Sequence, residues 1–345
     1  MTANGSMDDT VVVGAGIAGL ACARVLARHG RRPIVFERSR GLGGRCATRR
    51  ISGWPVDHGA AFVHGKDEGF LADARAAGVG GVLDGWPRIV EGRGAPCLPT
   101  AFEPSERRLA YAAGMTSLPK HIAQGLDVRR ETPVVALSAE AGGILVHGDK
   151  GTLLRATSVV LAVPPPTALK LLKPMAGHGR EAAAVCALTE MIGSQSCLTV
   201  LAGYPAGAPR PGWDVCYPDD STVVQMISHD SAKRQAPGSV VLVIQARPCW
   251  SRARFDSDER VWTTALLQET ARVVGGWAEQ PSWAQGHRWR FARSDRGSAL
   301  NRPLSVRLPG TGRVIVTGES FAPGGGIESA WLAGNAGARR VLDEE

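Results

Sequence analysis

The chain has no apolar run approaching the roughly eighteen residues that a membrane-spanning helix requires, so no membrane span is expected. Its seven cysteines (22, 46, 97, 186, 197, 216 and 249) include no C-x-x-C pair and no zinc-finger spacing, and their number is odd. That argues against a disulfide frame and a metal centre, and for free thiols in a reducing compartment. The first residues carry no basic-then-apolar leader, and the expected location is the cytoplasm. No G-x-S-x-G elbow occurs, so a serine-nucleophile hydrolase is not expected. The formal charge of +8 comes mostly from arginines scattered in pairs such as Arg31–Arg32 and Arg107–Arg108. No block of like charge is long enough for a nucleic-acid arm, and none alternates with stacking aromatics, so no nucleic-acid partner is expected. These arginines read as solvated surface or, in part, as attraction for a phosphate-bearing substrate. The partners that remain are a small molecule and, at most, a second copy of the chain: a monomer or homodimer.

Glycine, by contrast, is abundant at 43 residues, without any low-complexity run. Residues 11–13 are all valine and read as a buried parallel strand; Gly14, Gly16 and Gly19 follow, and Ala18, Ala21, Ala23 and Leu26 continue as a small-residue helix to about His29. In such a strand–turn–helix Gly14 permits the turn, Gly16 admits a pyrophosphate, and Gly19 lets helix and strand pack closely. The N–H groups at the helix start, around Ile17 and Ala18, are open to phosphate. A second strand over residues 33–37 ends in Glu37, whose carboxylate suits ribose hydroxyls and repels a 2′-phosphate. Three glycines alone would also fit an ordinary strand–helix turn. With the strand, the helix and the acid in place they read as a dinucleotide site. Arg38, Gly41, Gly43, Gly44 and Arg45 come next; side chains in place of these glycines would block an extended dinucleotide, and Arg45 would serve as counter-charge. The alternative for this stretch is a surface loop. After Asp57, the sequence His58, Gly59, Ala60 suggests backbone passing close under a flat ring.

Further on, residues 66–77 are helical in pattern, 79–109 are loops and short strands, and a helix opens near Thr116 or Ser117. Strand–turn–strand is expected over 127–137, a hairpin over 143–155, a buried strand over 158–163, and a helix after Pro164. From about 184 to 247 apolar segments separated by turn residues suggest a mostly antiparallel second sheet, with Met191 and Met226 in its core. Asp256 and Glu259 are placed as a capping box for a helix to Val274. Residues 287–292 read as a strand returning to the first domain, followed by a buried strand ending in Gly318 and Glu319 and a last small-residue helix after Ile327.

Taken together, Gly14, Gly16, Gly19, Gly43–Gly44–Arg45, Asp57 to Ala60, Gly318–Glu319 and Ile327 to Ala330 resemble the FAD-binding motifs of the monoamine-oxidase superfamily. More narrowly, residues 114–115, 161–164, 229–233, 249–252 and 287–290 resemble those of bacterial renalase-like proteins in order and spacing. The resemblance implies an α/β protein with a Rossmann-like FAD-binding domain (a parallel sheet with a small antiparallel insertion) and an α+β substrate domain with a mostly antiparallel sheet. Residues 1–65, 110–165 and 290–345 would form the first, and 66–109 and 166–289 the second. It places pyrophosphate on Gly14 to Gly19, adenosine ribose on Glu37 with Arg38 beside it, and adenine on the Val134 backbone. Gly44 and Arg45 lie near the phosphates, His58, Gly59 and Ala60 near the flavin ring, Gly318 and Glu319 at the ribityl or phosphate, and Ile327 at the pyrimidine edge. Glu319 and Ser329 depart from the usual Asp and Gly. No cysteine follows 249, so a C-terminal thioether link is not available and the FAD is expected to be non-covalent.

With flavin N5 as hydride acceptor the protein needs no nucleophile or metal of its own. His64, His229, Trp250 and Trp289 are the candidate substrate-pocket residues, each of which would serve equally as a core aromatic or a satisfied histidine. Three readings follow: an oxidase of dihydronicotinamide isomers that passes electrons to O2 and yields H2O2; an FAD-dependent oxidase or desaturase of an amine or secondary metabolite; and a non-catalytic, redox-responsive flavoprotein.

Overall fold

A computed structural model of the chain describes residues 10–92, 100–234 and 239–343; Cys97 lies outside them. Two compact units emerge, 1–44 with 119–194 and 294–345, and 45–118 with 195–293.

The first unit is built on a six-stranded sheet in the order Leu304–Leu308, Gly312–Val316, Ser158–Leu161, Thr10–Val13, Ile34–Phe36, Asp127–Arg129. All neighbours are parallel except the first pair. Strands covered on both faces read as nearly continuous apolar runs, and residues 10–13 and 158–161, valine and leucine except for Thr10 and Ser158, are buried throughout. Val11, Val13, Val159, Leu161, Val314 and Val316 pack into one core with Leu137, Ile144 and Val146 of the antiparallel insertion Val134–Glu140, Gly143–Gly148, Gly151–Ala156. The alternate residues Val12, Val160 and Ile315 are equally buried on the opposite face. The helix Ile17–Arg28 packs on the last helix, Gly326–Leu342. Their approach is set by small residues: a Cβ on Gly334 would stand 2.2 Å from the Ala18 carbonyl oxygen.

Residues 166–194, expected in the second domain, fall in this first unit. The reason lies in the apolar faces of helices Pro165–Leu172 and Arg180–Glu190: Ala168, Leu171, Leu172, Ala182 and Val185 belong to the same core as the Rossmann strands. Met191, at the end of the second of these helices, is 74% exposed and fills no core, whereas Met226 is buried in the second unit.

The second unit carries a six-stranded sheet in the order Trp283–Ser294, Ser194–Tyr204, Val240–Ala246, Val224–His229, Val215–Cys216, Val90–Glu91. Its central pairs are antiparallel, as the turn-separated apolar segments predict. Residues 287–292, expected as a strand returning to the first domain, belong to this sheet's edge strand, and the chain re-enters the first unit at Ser294. Trp262, Leu266 and Leu267 of the helix Glu259–Val274 cover the sheet. That helix is capped by Asp258, which accepts from the Arg260 N–H at 2.7 Å, and not by Asp256: the cap has to stand immediately before the first helical residue. Two smaller sheets, the hairpin Thr48–Ile51 with Trp54–Asp57 and the set Val63–Gly65, Arg107–Tyr111, Val82–Asp84, complete the unit.

Because the Gly334 clash is backbone against backbone, Gly334→Ala has to push the two helices apart, at a cost of about 1–3 kcal/mol. Gly337→Ala, whose new carbon would have Thr317 side-chain atoms as its nearest neighbours, at 3.3 Å and beyond, costs less. Urea unfolding of the two variants checks the order.

Candidate functional site

The residues of the glycine signature converge within the first unit. Gly14 takes φ +103°, a conformation that L side chains rarely adopt, and donates its N–H to the Phe36 carbonyl at 2.8 Å. A Cβ on Gly19 would lie 1.9 Å from the Gly14 carbonyl oxygen, so helix and turn meet only because Gly19 has no side chain. Gly16 bridges to Gly43, and Gly43 N–H donates to the Ala15 carbonyl at 2.9 Å, which brings the second glycine cluster against the first. Glu37 is 8% exposed; one carboxylate oxygen accepts from Ala15 N–H at 2.9 Å and the other from Ser39 N–H at 2.8 Å. Each oxygen keeps a further lone pair for a hydroxyl donor.

Gly318 follows the strand Gly312–Val316, and Glu319 accepts from the Ser294 N–H at 2.6 Å. Ile327 is in the first turn of the last helix and half-buried, Val134 begins the antiparallel insertion, and Arg38 is exposed beside Glu37. Ser329, in place of the usual glycine, donates its hydroxyl to the Pro323 carbonyl and so ties down the loop that enters that helix.

The second unit holds one short peptide, Asp57 to Ala61, from several sides at once. His58 N–H donates to Ala47 and Ala60 N–H to Arg45; a Cβ on Gly59 would stand 2.0 Å from the Arg45 carbonyl oxygen. The His58 carbonyl accepts from Trp289 Nε1 at 3.0 Å, the Gly59 carbonyl from Gln245 Nε2 at 2.7 Å, and the Ala61 carbonyl from Lys233 Nζ at 3.1 Å. Beneath it four charges are buried together. Lys233 Nζ lies 2.5 Å from Asp57 and 2.7 Å from Asp230, and Arg234 pairs with the same two carboxylates at 2.8 and 2.7 Å. Thr48 Oγ1 and Met115 N–H both donate to the other Asp57 oxygen, at 2.6 and 2.8 Å. Burial raises the Asp57 pKa, but the Lys233 and Arg234 charges, with hydrogen bonds from Lys233 and Thr48, outweigh it and hold the carboxyl at about 2.

Above this clamp His58 stacks on Trp289 with ring centroids 5.4 Å apart, and His287 meets His58 edge-on at 4.8 Å and Trp289 at 4.3 Å. Arg49 Nη2 approaches His287 Nδ1 at 3.3 Å. Burial, then His287 and Arg49, push His58 down to about 4; burial and Arg49 do the same for His287. Both rings are therefore neutral at neutral pH.

Of the four candidate pocket residues, Trp289 belongs to this cluster. His64, on the strand Val63–Gly65, pairs through Nδ1 with Glu106 at 3.0 Å. His229 borders an open depression of about 280 Å³ with Arg210, Trp213, Asp214, Ser231 and Arg234, and burial keeps its pKa low. Trp250 lies on the short helix Pro248–Ala253 under the Arg254 guanidinium, packed on the core around Trp262. The sequence reading missed Arg49, His287, Lys233, Asp230 and Arg234 as site residues. Residues 229–233 and 287–290 carried the signal as motifs, but spacing does not say what they meet.

An FAD fits the first unit on its own geometry. A Cβ on Gly16 would find no atom within 4 Å, so the backbone there has free approach. The helix Ile17–Arg28 has no side-chain cap, which leaves its first amides for phosphate oxygens. Strand, bare turn, acid and second glycine loop define a dinucleotide-binding protein of the Rossmann type. A Rossmann-like NAD(P)-binding domain matches residues 12–73, and the flavin containing amine oxidoreductase family matches residues 79–342. The chain belongs to that family. It is 46% identical over 71 residues to the AofH protein of Mycobacterium tuberculosis (strain CDC 1551 / Oshkosh), named as a flavin-containing monoamine oxidase, a match covering 21% of this chain and 16% of that protein. The alignment thus spans about a sixth of the relative's length. The fold is shared with a protein of Exiguobacterium sp. 255-15 named as a protoporphyrinogen oxidase (TM-score 0.76, 16% identity, 99% and 100% of the two chains). It is shared also with cyclohexylamine oxidase of Brevibacterium oxydans IH-35A (TM-score 0.72, 14% identity, 98% and 99%). No described helix is long and apolar enough to cross a membrane.

Gly16→Ala separates cofactor binding from folding. Its φ of −75° suits any residue and its surroundings are open, so unfolding stability stays within about 0.5 kcal/mol of the parent. The FAD dissociation constant, read by fluorescence titration, rises about tenfold or more. A pH effect follows from the imidazoles, which sit near 4 in the native state against an ordinary 6.5. Between these values the unfolded chain binds protons that the native one does not. Stability is therefore full above pH about 6.5 and falls as pH drops toward about 4, by at most roughly 3 kcal/mol for His58. Urea midpoints across this window show the slope, and His58→Gln with His287→Gln flattens it.

Proposed function

We propose that the chain holds FAD non-covalently and acts as a renalase-like oxidase, taking a hydride from a small dihydronicotinamide-type molecule and passing the electrons to O2 to give H2O2. The FAD-holding residues in this reading are Gly14, Gly16, Ile17, Ala18, Gly19, Glu37, Arg38, Gly44, Val134, Gly318, Glu319 and Ile327, and the resemblance adds Arg45, His58, Gly59 and Ala60. When bound, FAD supplies the hydride acceptor. The chain's own residues orient the donor: Trp289 and His58 offer stacked ring faces, and Arg49 a positive charge.

One observation carries the choice of substrate class. Arg49 brings a positive charge against the His58–His287–Trp289 cluster; of the carboxylates that act on its imidazoles, Glu259 is paired with Arg288 and Asp57, like Asp230, with Lys233 and Arg234. An ammonium substrate would meet a cation and neutral imidazoles there, whereas a neutral dihydropyridine with a phosphate-bearing tail meets a favourable charge. Such a donor also needs no general base, which suits imidazoles that stay neutral down to pH about 4. The second reading, oxidation of an amine, is supported by the names of the relatives, AofH and cyclohexylamine oxidase.

Anaerobic mixing decides between them. Isomeric dihydronicotinamides are expected to bleach the flavin band, and Arg49→Gln to raise the KM for them with little change in kcat. Bleaching by a panel of amines and not by any dihydronicotinamide replaces the first reading with the second. Bleaching by neither, with redox-dependent binding of a partner protein, favours a non-catalytic role.

A further inference from the structure

We propose that a basic depression at the amino-terminal end of the parallel sheet is an oxyanion site that takes a phosphate group. It is built within the first unit and uses none of the residues assigned to FAD.

The depression, of about 380 Å³, lies between the last turns of the helix Ile17–Arg28 and the turn that leads into the strand Asp127–Arg129. Its polar lining is Arg24, Arg28, His121 and Gln124, with no acid among the described residues that line it. The dinucleotide signature sits at the carboxyl ends of the strands, after Val13 and Phe36. Arg24 and Arg28 lie about 12 and 18 Å along the helix from Gly16, at a rise of about 1.5 Å per residue. The two sites are therefore at opposite ends of the first helix.

Local structure brings the lining together. Arg24 and Arg28, four positions apart, share one face of their helix. His121 stands in the short helix Ser117–Ile122, and Gln124 in the turn after it. Gln124 N–H donates to the His121 carbonyl at 3.3 Å and Leu126 N–H to the Ala123 carbonyl at 3.1 Å. The strand that follows pairs with Ile34–Phe36, which succeeds the first helix, so both walls are tied to one sheet.

Helix capping does not account for these cations. The last carbonyls are taken by backbone, His29 and Arg31 N–H on Leu26 and Gly30 N–H on Ala27, and His29 Nδ1 donates to the Val25 carbonyl at 2.9 Å. Pairing within the helix does not account for them either. The helix contains no acidic residue, and two like charges four apart repel across one turn. Arg24 is 9% exposed and bounds the floor, where salt screens its charge less than at the surface. Arg28, His121 and Gln124 make no side-chain hydrogen bond or ion pair among the described residues. A guanidinium carries five N–H groups, a primary amide two and an imidazole at least one. A tetrahedral anion with several acceptor oxygens uses such a spread of donors, and the guanidinium edge matches phosphate bidentately.

The test is calorimetric titration of the FAD-loaded full chain with inorganic phosphate, at fixed ionic strength in a phosphate-free buffer. Loading with FAD keeps the glycine cradle from competing. Saturable binding at one site is expected. Arg28→Gln, at an exposed position that leaves the fold intact, is expected to weaken it about tenfold or more, and His121→Ala by less. Arg32→Gln, an exposed cation outside the lining, is expected to change nothing. Adenosine monophosphate identifies the source: tighter binding than phosphate assigns the group to a larger molecule, and weaker binding assigns it to free phosphate. A chain that takes up no FAD is titrated as it stands; loss with Arg28→Gln but not with Gly16→Ala then supports the site. Absence of saturable binding, an affinity unchanged in Arg28→Gln, or an equal loss in Arg32→Gln overturns the proposal.

Discussion

Backbone lies against backbone at the head of the first helix, and the first unit is arranged to allow it. A single methyl group at Gly19 would overlap the Gly14 carbonyl, and one at Gly334 the Ala18 carbonyl. Turn, first helix and last helix are thus held at a separation only glycine permits. The parallel sheet supplies the rigid floor for this contact, with Val11, Val12 and Val13 fully or almost fully buried. Because the helix can start so close to the strand, its amides open onto the edge where Glu37, Gly43 and Gly44 also arrive.

The second unit solves a different problem by different means. It has to hold a loop-like peptide still, and it does so with side-chain donors on three of its carbonyls, those of His58, Gly59 and Ala61, and with ions sealed from water. Desolvating four charged groups is costly, and the cost is offset only when almost every donor finds an acceptor. Lys233 meets that demand in full. The neighbouring imidazoles of His58, which is buried, and His287, which is half-buried, are kept neutral instead by desolvation and by the nearby Arg49 charge, which is the other way a protein accommodates ionisable groups.

Much of the first unit was legible in the sequence, because its signals are local. Gly14, Gly16, Gly19 and Glu37 fall within one strand–helix–strand stretch, and valine runs betray strands buried on both faces. The antiparallel insertion could be read from the turn at Gly148 to Gly151. The clamp could not. Asp57 and Lys233 are 176 positions apart, and neither periodicity nor spacing says that a lysine after His229 will face a carboxylate before His58. Trp289 and Trp250 looked alike as motif tryptophans; only the sheet edge sets one on His58, while a short helix lays the other, half-buried, against the core. The misplaced cap at Asp256 has a plainer cause: two acids stand two residues apart, and the pattern fits either until the first helical turn is known.

The chain passes between its two compact units four times, at residues 44, 118, 194 and 293. Gly312–Val316, an inner strand of the parallel sheet, pairs with Ser158–Leu161 more than a hundred and fifty positions earlier. During synthesis the amino-terminal strands therefore emerge long before their neighbour exists, and the Rossmann sheet cannot close until most of the polypeptide has left the ribosome. Cofactor capture becomes a late event in biogenesis, and nascent chains stalled midway expose a valine-rich sheet edge to chaperones or to one another.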